Sequence, residues 1–266
     1  MNALEIRALT KVYEQHTAVD HLTLDIREGE LFGLLGVNGA GKSTTIKMLS
    51  CLCRPTAGDA LLLGDSILTA PHRVKEKINV SPQETAVAPN LSVAENLALM
   101  AGIYGSPGAQ ARERVQEMLV SMGLTEVEKQ KAKTLSGGWQ RRLSIAMALI
   151  TRPRILFLDE PTLGLDVLAR RELWGIIRSL KGRVTVILTT HYMEEAQSLC
   201  DRIAVMARGR LRAVGTVGEL MAQTKAPNFE EAFVSLCETE ESCLLYTSHP
   251  GMAGGHPWGR SPASRL

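Results

Sequence analysis

Along the chain, short apolar runs alternate with longer segments whose apolar residues recur at helical spacing. That is the pattern of an α/β fold with a substantially parallel sheet. Leu4–Leu9 and Leu22–Ile26 predict early strands, and Glu30–Leu35 predicts an apolar strand running into a glycine-rich turn. A helix is expected over Lys42–Leu52, with short strands at Ala60–Leu63 and Ile78–Val80. The texture changes between Ser92 and Ile150. Ser92-Val-Ala-Glu95 reads as a capping box, in which the hydroxyl accepts from the amide of residue 95 while that carboxylate reaches back. It opens a helix to about Ile103, which Gly105-Ser-Pro-Gly108 breaks. A second helix is expected over Ala109–Met122, with Val115, Met118, Leu119 and Met122 on one face. This stretch predicts a helical subdomain inserted in the α/β core. Strand signals return at Ile155–Leu158, Val184–Leu188 and Ile203–Met206.

Composition narrows the field. The 266 residues carry 30 Lys+Arg against 28 Asp+Glu, a net charge of +2, and 4% aromatics. A near-neutral chain has no strong global attraction to nucleic acid, and so few aromatics give little for bases to stack on. The longest apolar stretch, near Leu143–Ile150, falls far short of the roughly 18 residues that span a bilayer. The first 15 residues carry charges where a signal peptide needs its apolar region, so a cytoplasmic location is expected. The five cysteines are odd in number, and the close pair Cys51–Cys53 lacks zinc-ribbon spacing, so reduced structural thiols are expected. Beyond Ser248, glycine, proline and serine dominate without periodicity, a composition that does not pack a core. The folded domain is expected to end near Leu236–Glu240, and the remainder to be a disordered tail or a translated cloning artefact. His249, His256 and Trp258 are accordingly given no site.

Three segments carry chemistry. Gly36-Val-Asn-Gly39-Ala-Gly41-Lys42-Ser43 fits G-x-x-x-x-G-K-[ST] between an apolar strand and a helix start, the context in which that motif cradles phosphates. Its glycines let successive backbone N–H groups converge on phosphate oxygens, and the helix N-terminus adds free donors. Lys42 supplies a point charge for the β- and γ-phosphates, and Ser43 a hydroxyl for Mg²⁺. Gly36, Asn38, Gly39, Ala40, Gly41, Lys42, Ser43 and Thr44 are thus the candidate phosphate-binding positions. Next, Ile155-Leu-Phe-Leu158 delivers Asp159 and Glu160 at a strand's C-terminal end, where open α/β sheets bind ligands. Asp159 is the candidate Mg²⁺ ligand through water, and Glu160 the group that orients attacking water. Adjacent acids alone are common on surfaces; the upstream phosphate loop gives this pair its meaning. Finally, Leu135-Ser136-Gly137-Gly138-Trp139-Gln140 precedes a helix with apolar residues at 143, 146, 147 and 150, a second helix start with bare donors. Alone, it also reads as a plain helix cap.

These three motifs, in this order and spacing, resemble the nucleotide-binding subunits of ABC transporters over roughly residues 3 to 236. The resemblance implies a P-loop NTPase fold, a RecA-like core with a mainly parallel sheet. To this it adds N-terminal antiparallel β strands and an inserted helical subdomain. It implies an ABC ATPase domain over 1–240, an insert at about 84–150 and a tail over 241–266. Tyr13 matches the aromatic that stacks on adenine. Gln83 matches the glutamine that senses Mg²⁺ and links the core to the helical subdomain. Asp166, in Gly164-Leu-Asp166, matches the loop that crosses between subunits. His191, in Leu188-Thr-Thr-His191, matches the histidine that contacts the γ-phosphate. Lys42, Glu160 and His191 are the implied catalytic groups, and Ser43, Gln83 and Asp159 the implied Mg²⁺ positions. Ser136, Gly137 and Gly138 would grip the ATP held by a second subunit, expected as a homodimer.

The segment from Ser81 to Ser92, Gly102-Ile-Tyr-Gly105 and the variant Trp139-Gln-Arg-Arg142 resemble ATPase subunits of ABC-2 type exporters. That resemblance implies an ATP-hydrolysing, Mg²⁺-dependent subunit that energises a separate integral-membrane permease. It would sit at the cytoplasmic face of the membrane and bind no nucleic acid. A soluble ABC ATPase of translation or DNA maintenance, and an importer ATPase, are the alternatives. The chain carries one copy of each motif, and the stretch from Gln83 to Ser136 is too short for a long coiled coil.

Overall fold

The computed structural model describes residues 1–105 and 108–238. The expected tail at 241–266, and Ser106 and Pro107 within the expected helix break, lie outside the described residues. Two sheets organise the molecule. The first is antiparallel, in the order β2-β1-β4-β5: β1 Asn2–Tyr13, β2 His16–Arg27, β4 Ala57–Leu62 and β5 Asp65–Ser66. In β2, Leu22, Leu24 and Ile26 are buried while Thr23 and Asp25 are exposed, the alternation of a sheet with one face on the core.

The second sheet runs β10-β9-β3-β8-β7-β6. Its strands are β3 Leu31–Leu35, β6 Ile78–Ser81, β7 Ile155–Asp159, β8 Thr185–Thr190, β9 Arg202–Ala207 and β10 Arg210–Gly215. All pairings are parallel except β9 with β10. Every residue of β3 and of β8 is buried, as expected of strands covered on both faces. Leu35 pairs with Thr190, Asp159 with Thr189 and Ser81 with Leu158, so four strands end level at their C-terminal edge.

Nine α-helices are found among the described residues: α1 Lys42–Leu49, α2 Pro71–Lys77, α3 Val93–Ile103, α4 Gly108–Ser121, α5 Gly137–Leu149, α6 Val167–Ser179, α7 Met193–Leu199, α8 Val217–Thr224 and α9 Phe229–Glu238. Leu97, Leu119 and Leu143, from α3, α4 and α5, share one buried cluster with Leu156 and Leu158 of β7. The capping box at α3 is formed in both directions, with Ser92 Oγ accepting from Glu95 N at 3.2 Å and Glu95 Oε2 from Ser92 N at 2.7 Å.

Several boundaries differ from the sequence expectation. The first two strands are longer: they pair across the turn at Glu14, where φ is 50°, and the pairing continues past left-handed bulges at Ala8 and His21, both with φ 48°. The helix expected to reach Leu52 stops at Leu49: Ser50 Oγ donates to the Ile46 carbonyl at 2.7 Å, and Cys51 turns left-handed at φ 57°.

Candidate functional site

The loop after β3 is shaped by its glycines. A Cβ on Gly36 would collide with the Met206 carbonyl, and Gly41 sits at φ 99° with the Ala18 carbonyl 2.5 Å from where a Cβ would stand. The start of α1 lines a cavity of about 610 Å³, and no side-chain cap at Gly41 takes up its first-turn amides. Asn38, Gly39, Ala40, Gly41, Lys42, Ser43 and Thr44 line one side of the cavity, and Tyr13, Gln83, Glu160 and His191 are among the residues that line the rest; Gly36 and Asp159 do not line it. Lys42 is 5% exposed, and its Nζ donates to the carbonyls of Gly36 at 2.7 Å and Val37 at 3.2 Å. Burial pushes the Lys42 ammonium below its ordinary pKa, opposed by the carboxylates of Glu160 and Asp159.

Level strand ends bring the acids and the histidine to this loop. Ser43 Oγ donates to Asp159 Oδ1 at 3.1 Å, and Thr189 Oγ1 donates to the same oxygen at 2.5 Å. Thr189 Oγ1 also accepts from the backbone N of Glu160 at 3.0 Å. Glu160 leaves the strand at φ 47°, an uncommon conformation for a residue with a side chain. Its Oε1 lies 3.3 Å from His191 Nδ1 and 3.9 Å from Lys42 Nζ. The His191 contact is within ion-pair range but not aligned as a hydrogen bond, which leaves Nδ1 without a bonded partner.

At the rim, the Tyr13 hydroxyl meets Cys53 Sγ at 3.4 Å, and Lys11 Nζ stands 4.9 Å from the ring centroid. The hydrogen bond to Cys53 raises the tyrosine's pKa. Gln83 is exposed, and its backbone is fastened to α5: Arg141 donates to the Gln83 carbonyl at 2.5 Å and to the Pro82 carbonyl at 2.7 Å. Burial lowers the Arg141 pKa, against the pull of Asp159, Glu195 and Glu160.

A family model described as ABC transporter matches residues 19–163, more than half of the chain. The chain belongs to the ABC transporter family. This ABC chain is 46% identical over 219 residues to the daunorubicin/doxorubicin resistance ATP-binding protein DrrA of Streptomyces peucetius, a match covering 82% of the chain and 66% of DrrA. It is 39% identical over 240 residues to the linearmycin resistance ATP-binding protein LnrL of Bacillus subtilis, covering 87% of the chain and 77% of LnrL. Its fold matches a dimeric ATP-binding cassette in a post-hydrolysis state bound to ADP and Pi, with TM-score 0.73 and 27% identity, over 80% of this chain and 98% of that one.

In this ABC chain, Ser136, Gly137, Gly138 and Asp166 do not line the cavity. Ser136 stands at the N-cap of α5 with no side-chain capping bond, and Gly137 is exposed. Asp166 caps α6, with Oδ1 accepting from Leu168 N and Ala169 N, both at 2.9 Å. A Cβ on Gly138 would sit 3.1 Å from Ala169 Cβ, so the two helix starts are packed together.

The oxygen pair of Ser43 and Asp159 suits a hard cation such as Mg²⁺. No group of three or more His, Cys, Asp or Glu among the described residues could enclose a metal, so water and phosphate oxygens would complete its shell. Sequence reasoning gave no role to Thr189, Arg141, His16, Ala18 or Leu163. The last three line the cavity, while Thr189 and Arg141 hold the groups that do. The signal for Thr189 is its place two residues before His191 at the end of an apolar strand.

Proposed function

We infer that this chain is the ATP-binding and ATP-hydrolysing subunit of a membrane exporter of the ABC-2 type. One observation carries the reading. Lys42, Ser43, Glu160 and His191 line one cavity, with Asp159 bonded to Ser43 behind its wall, while the bare helix start at Ser136–Gly138 lies outside it. A phosphate grip without a phosphate site of its own is half of a site that a second copy completes. The exposed Val167 and Leu168, beside that helix start, supply apolar area for the contact.

In this mechanism Tyr13 stacks on the adenine, and the loop from Gly36 to Thr44 wraps the phosphates. Lys42 leaves its carbonyl partners for the β- and γ-phosphate oxygens. Ser43 and Asp159, with Gln83 at the rim, would hold Mg²⁺, which neutralises phosphate charge when bound. Glu160 orients and polarises the attacking water, and His191 steadies both the carboxylate and the γ-phosphate. Ser136, Gly137 and Gly138 grip the γ-phosphate held by the other copy, with Asp166 at the crossing. ATP closes the pair because it binds the closed state better. Closure passes through Gln83 and Arg141 to the helical insert, and from there to a separate permease. No helix among the described residues is long and apolar enough to cross a membrane, which fits docking at the cytoplasmic face through that permease. The names of DrrA and LnrL, both resistance proteins, support efflux as the task.

Hydrolysis by point variants tests the assignment. Glu160→Gln is expected to bind ATP normally and to hydrolyse it about 100-fold more slowly or worse. Lys42→Ala is expected to lose both affinity and turnover. Wild-type turnover in either variant contradicts the reading.

A further inference from the structure

A carboxyl group is buried directly behind the site. Glu195 of α7 is 0% exposed, and Trp174 Nε1 of α6 donates to its Oε1 at 3.2 Å. The hydroxyls of Thr190 and Thr162 face the same carboxyl, with Arg170 of α6 in electrostatic reach. Thr190 and Thr162 are themselves 1% and 0% exposed. Glu195 Oε2 and Thr162 Oγ1 have no aligned hydrogen-bond partner. Burial pushes the Glu195 carboxyl above the usual carboxylate range, opposed by these hydrogen-bonding groups and by Arg170.

A buried acid with an unsatisfied oxygen is costly, and an apolar side chain would pack the same space more cheaply. The cost falls where three functional segments meet. Thr190 stands between Thr189, which holds Asp159 and the Glu160 amide, and His191. Thr162 lies in the turn that follows Glu160 and leads to Asp166, where Leu163 N donates to the Glu160 carbonyl at 3.2 Å and Leu165 N to the Thr162 carbonyl at 3.2 Å. Trp174 and Arg170 belong to the helix that Asp166 caps, and Arg170 lies over the Tyr192 ring at 5.0 Å. One side chain therefore faces the strand end that carries the histidine, the turn that follows the water-orienting acid, and the helix behind both.

We propose that Glu195 is a positioning residue for ATP hydrolysis, setting His191 through Thr190 and the Glu160–Asp166 turn through Thr162. This rests on the reading of Glu160 and His191 as hydrolytic groups. Glu195 touches no phosphate; it fixes the relative placement of two groups that must meet one water. Misplacing such groups slows turnover and leaves nucleotide affinity intact.

The test uses the full chain with Glu195→Ala, Glu195→Gln and Thr162→Val, with Glu160→Gln and His191→Ala as controls. ATP affinity is read with a fluorescent ATP analogue, kcat by phosphate release, and folding by thermal unfolding. Glu195→Ala is expected to lower kcat about tenfold or more with affinity within about twofold. Glu195→Gln keeps an acceptor for Trp174 and adds a donor toward the threonines, so it is expected to restore most of the turnover. Thr162→Val removes the facing hydroxyl and leaves the acid in place; it is expected to lower kcat at unchanged affinity, and it keeps the test valid where Glu195→Ala fails to fold. Wild-type kcat in both Glu195→Ala and Thr162→Val, with the two controls inactive, overturns the proposal alone. Loss of affinity, stability and kcat together, without rescue by Gln, also overturns it. Fully active controls overturn the underlying reading of the site instead.

Discussion

Thr189 shows how one small side chain can arrange a larger site. Its hydroxyl donates to Asp159 and accepts from the Glu160 amide, so a single oxygen ties two neighbouring acids together. Thr189→Val keeps the shape and removes both bonds. A hydrogen bond to a charged group contributes roughly 1.5–3 kcal/mol, and about 1.4 kcal/mol is tenfold in rate. Thr189→Val is therefore expected to lower kcat by about tenfold, with the chain still folded by circular dichroism. Wild-type turnover in a folded Thr189→Val protein would show that the acids hold their places without it. Lys42 is the contrasting case. It is buried at the cavity wall, donating to two loop carbonyls with the Glu160 carboxylate at 3.9 Å, a cation already desolvated.

At the scale of elements, the start of α3 ties a loop, a helix and an acid together. Asn96 is fully buried, and its Nδ2 and Oδ1 bond to the backbone of Ala88, Leu91 and Ser92, fixing the turn ahead of the capping box. Hydrogen bonds from the Ser92 backbone and side chain hold the Glu95 carboxyl below the usual carboxylate range. A folded-state pKa below the unfolded one gives stability that is present above the unfolded value and is lost as pH falls through the folded one. The stability difference between wild type and Glu95→Ala is therefore expected to be constant above about pH 5.5 and to shrink as pH falls below about 4. Denaturant melts across that range check it; a difference that persists undiminished into acid contradicts the box. Much at this scale was legible in the sequence. The phosphate loop, the capping box and the strand ending in Asp159 are each written in contiguous residues. Thr189 and Arg141 are not legible, because their partners lie 29 and 30, and 58 and 59, positions away and are brought near only by strand register and helix packing. Helix α6 is only half legible: Asp166 caps it and Leu173 and Ile177 mark its buried face, but Gly164-Leu-Asp166 just ahead of it carries the signature of a loop.

Over the whole molecule, two sheets of different character divide the work. The antiparallel sheet brings Tyr13 to the cavity rim, and the parallel sheet presents the phosphate loop, the acids and the histidine at one level edge. The helical insert carries Ser136–Gly138 and, through Arg141, grips the Gln83 loop. On the proposed reading, each copy offers the phosphate-loop cavity and the helix start at Ser136–Gly138, a pairing that two copies would satisfy by symmetry. The most direct test is light scattering on size-exclusion of Glu160→Gln with Mg-ATP, alongside the double variant Glu160→Gln/Ser136→Arg. An ATP-dependent dimer is expected for the first and a monomer for the second, because the arginine would fill the place where, on the proposed reading, the Ser136–Gly138 helix start meets the γ-phosphate. A Ser136→Arg double variant that dimerises as readily with Mg-ATP would contradict it.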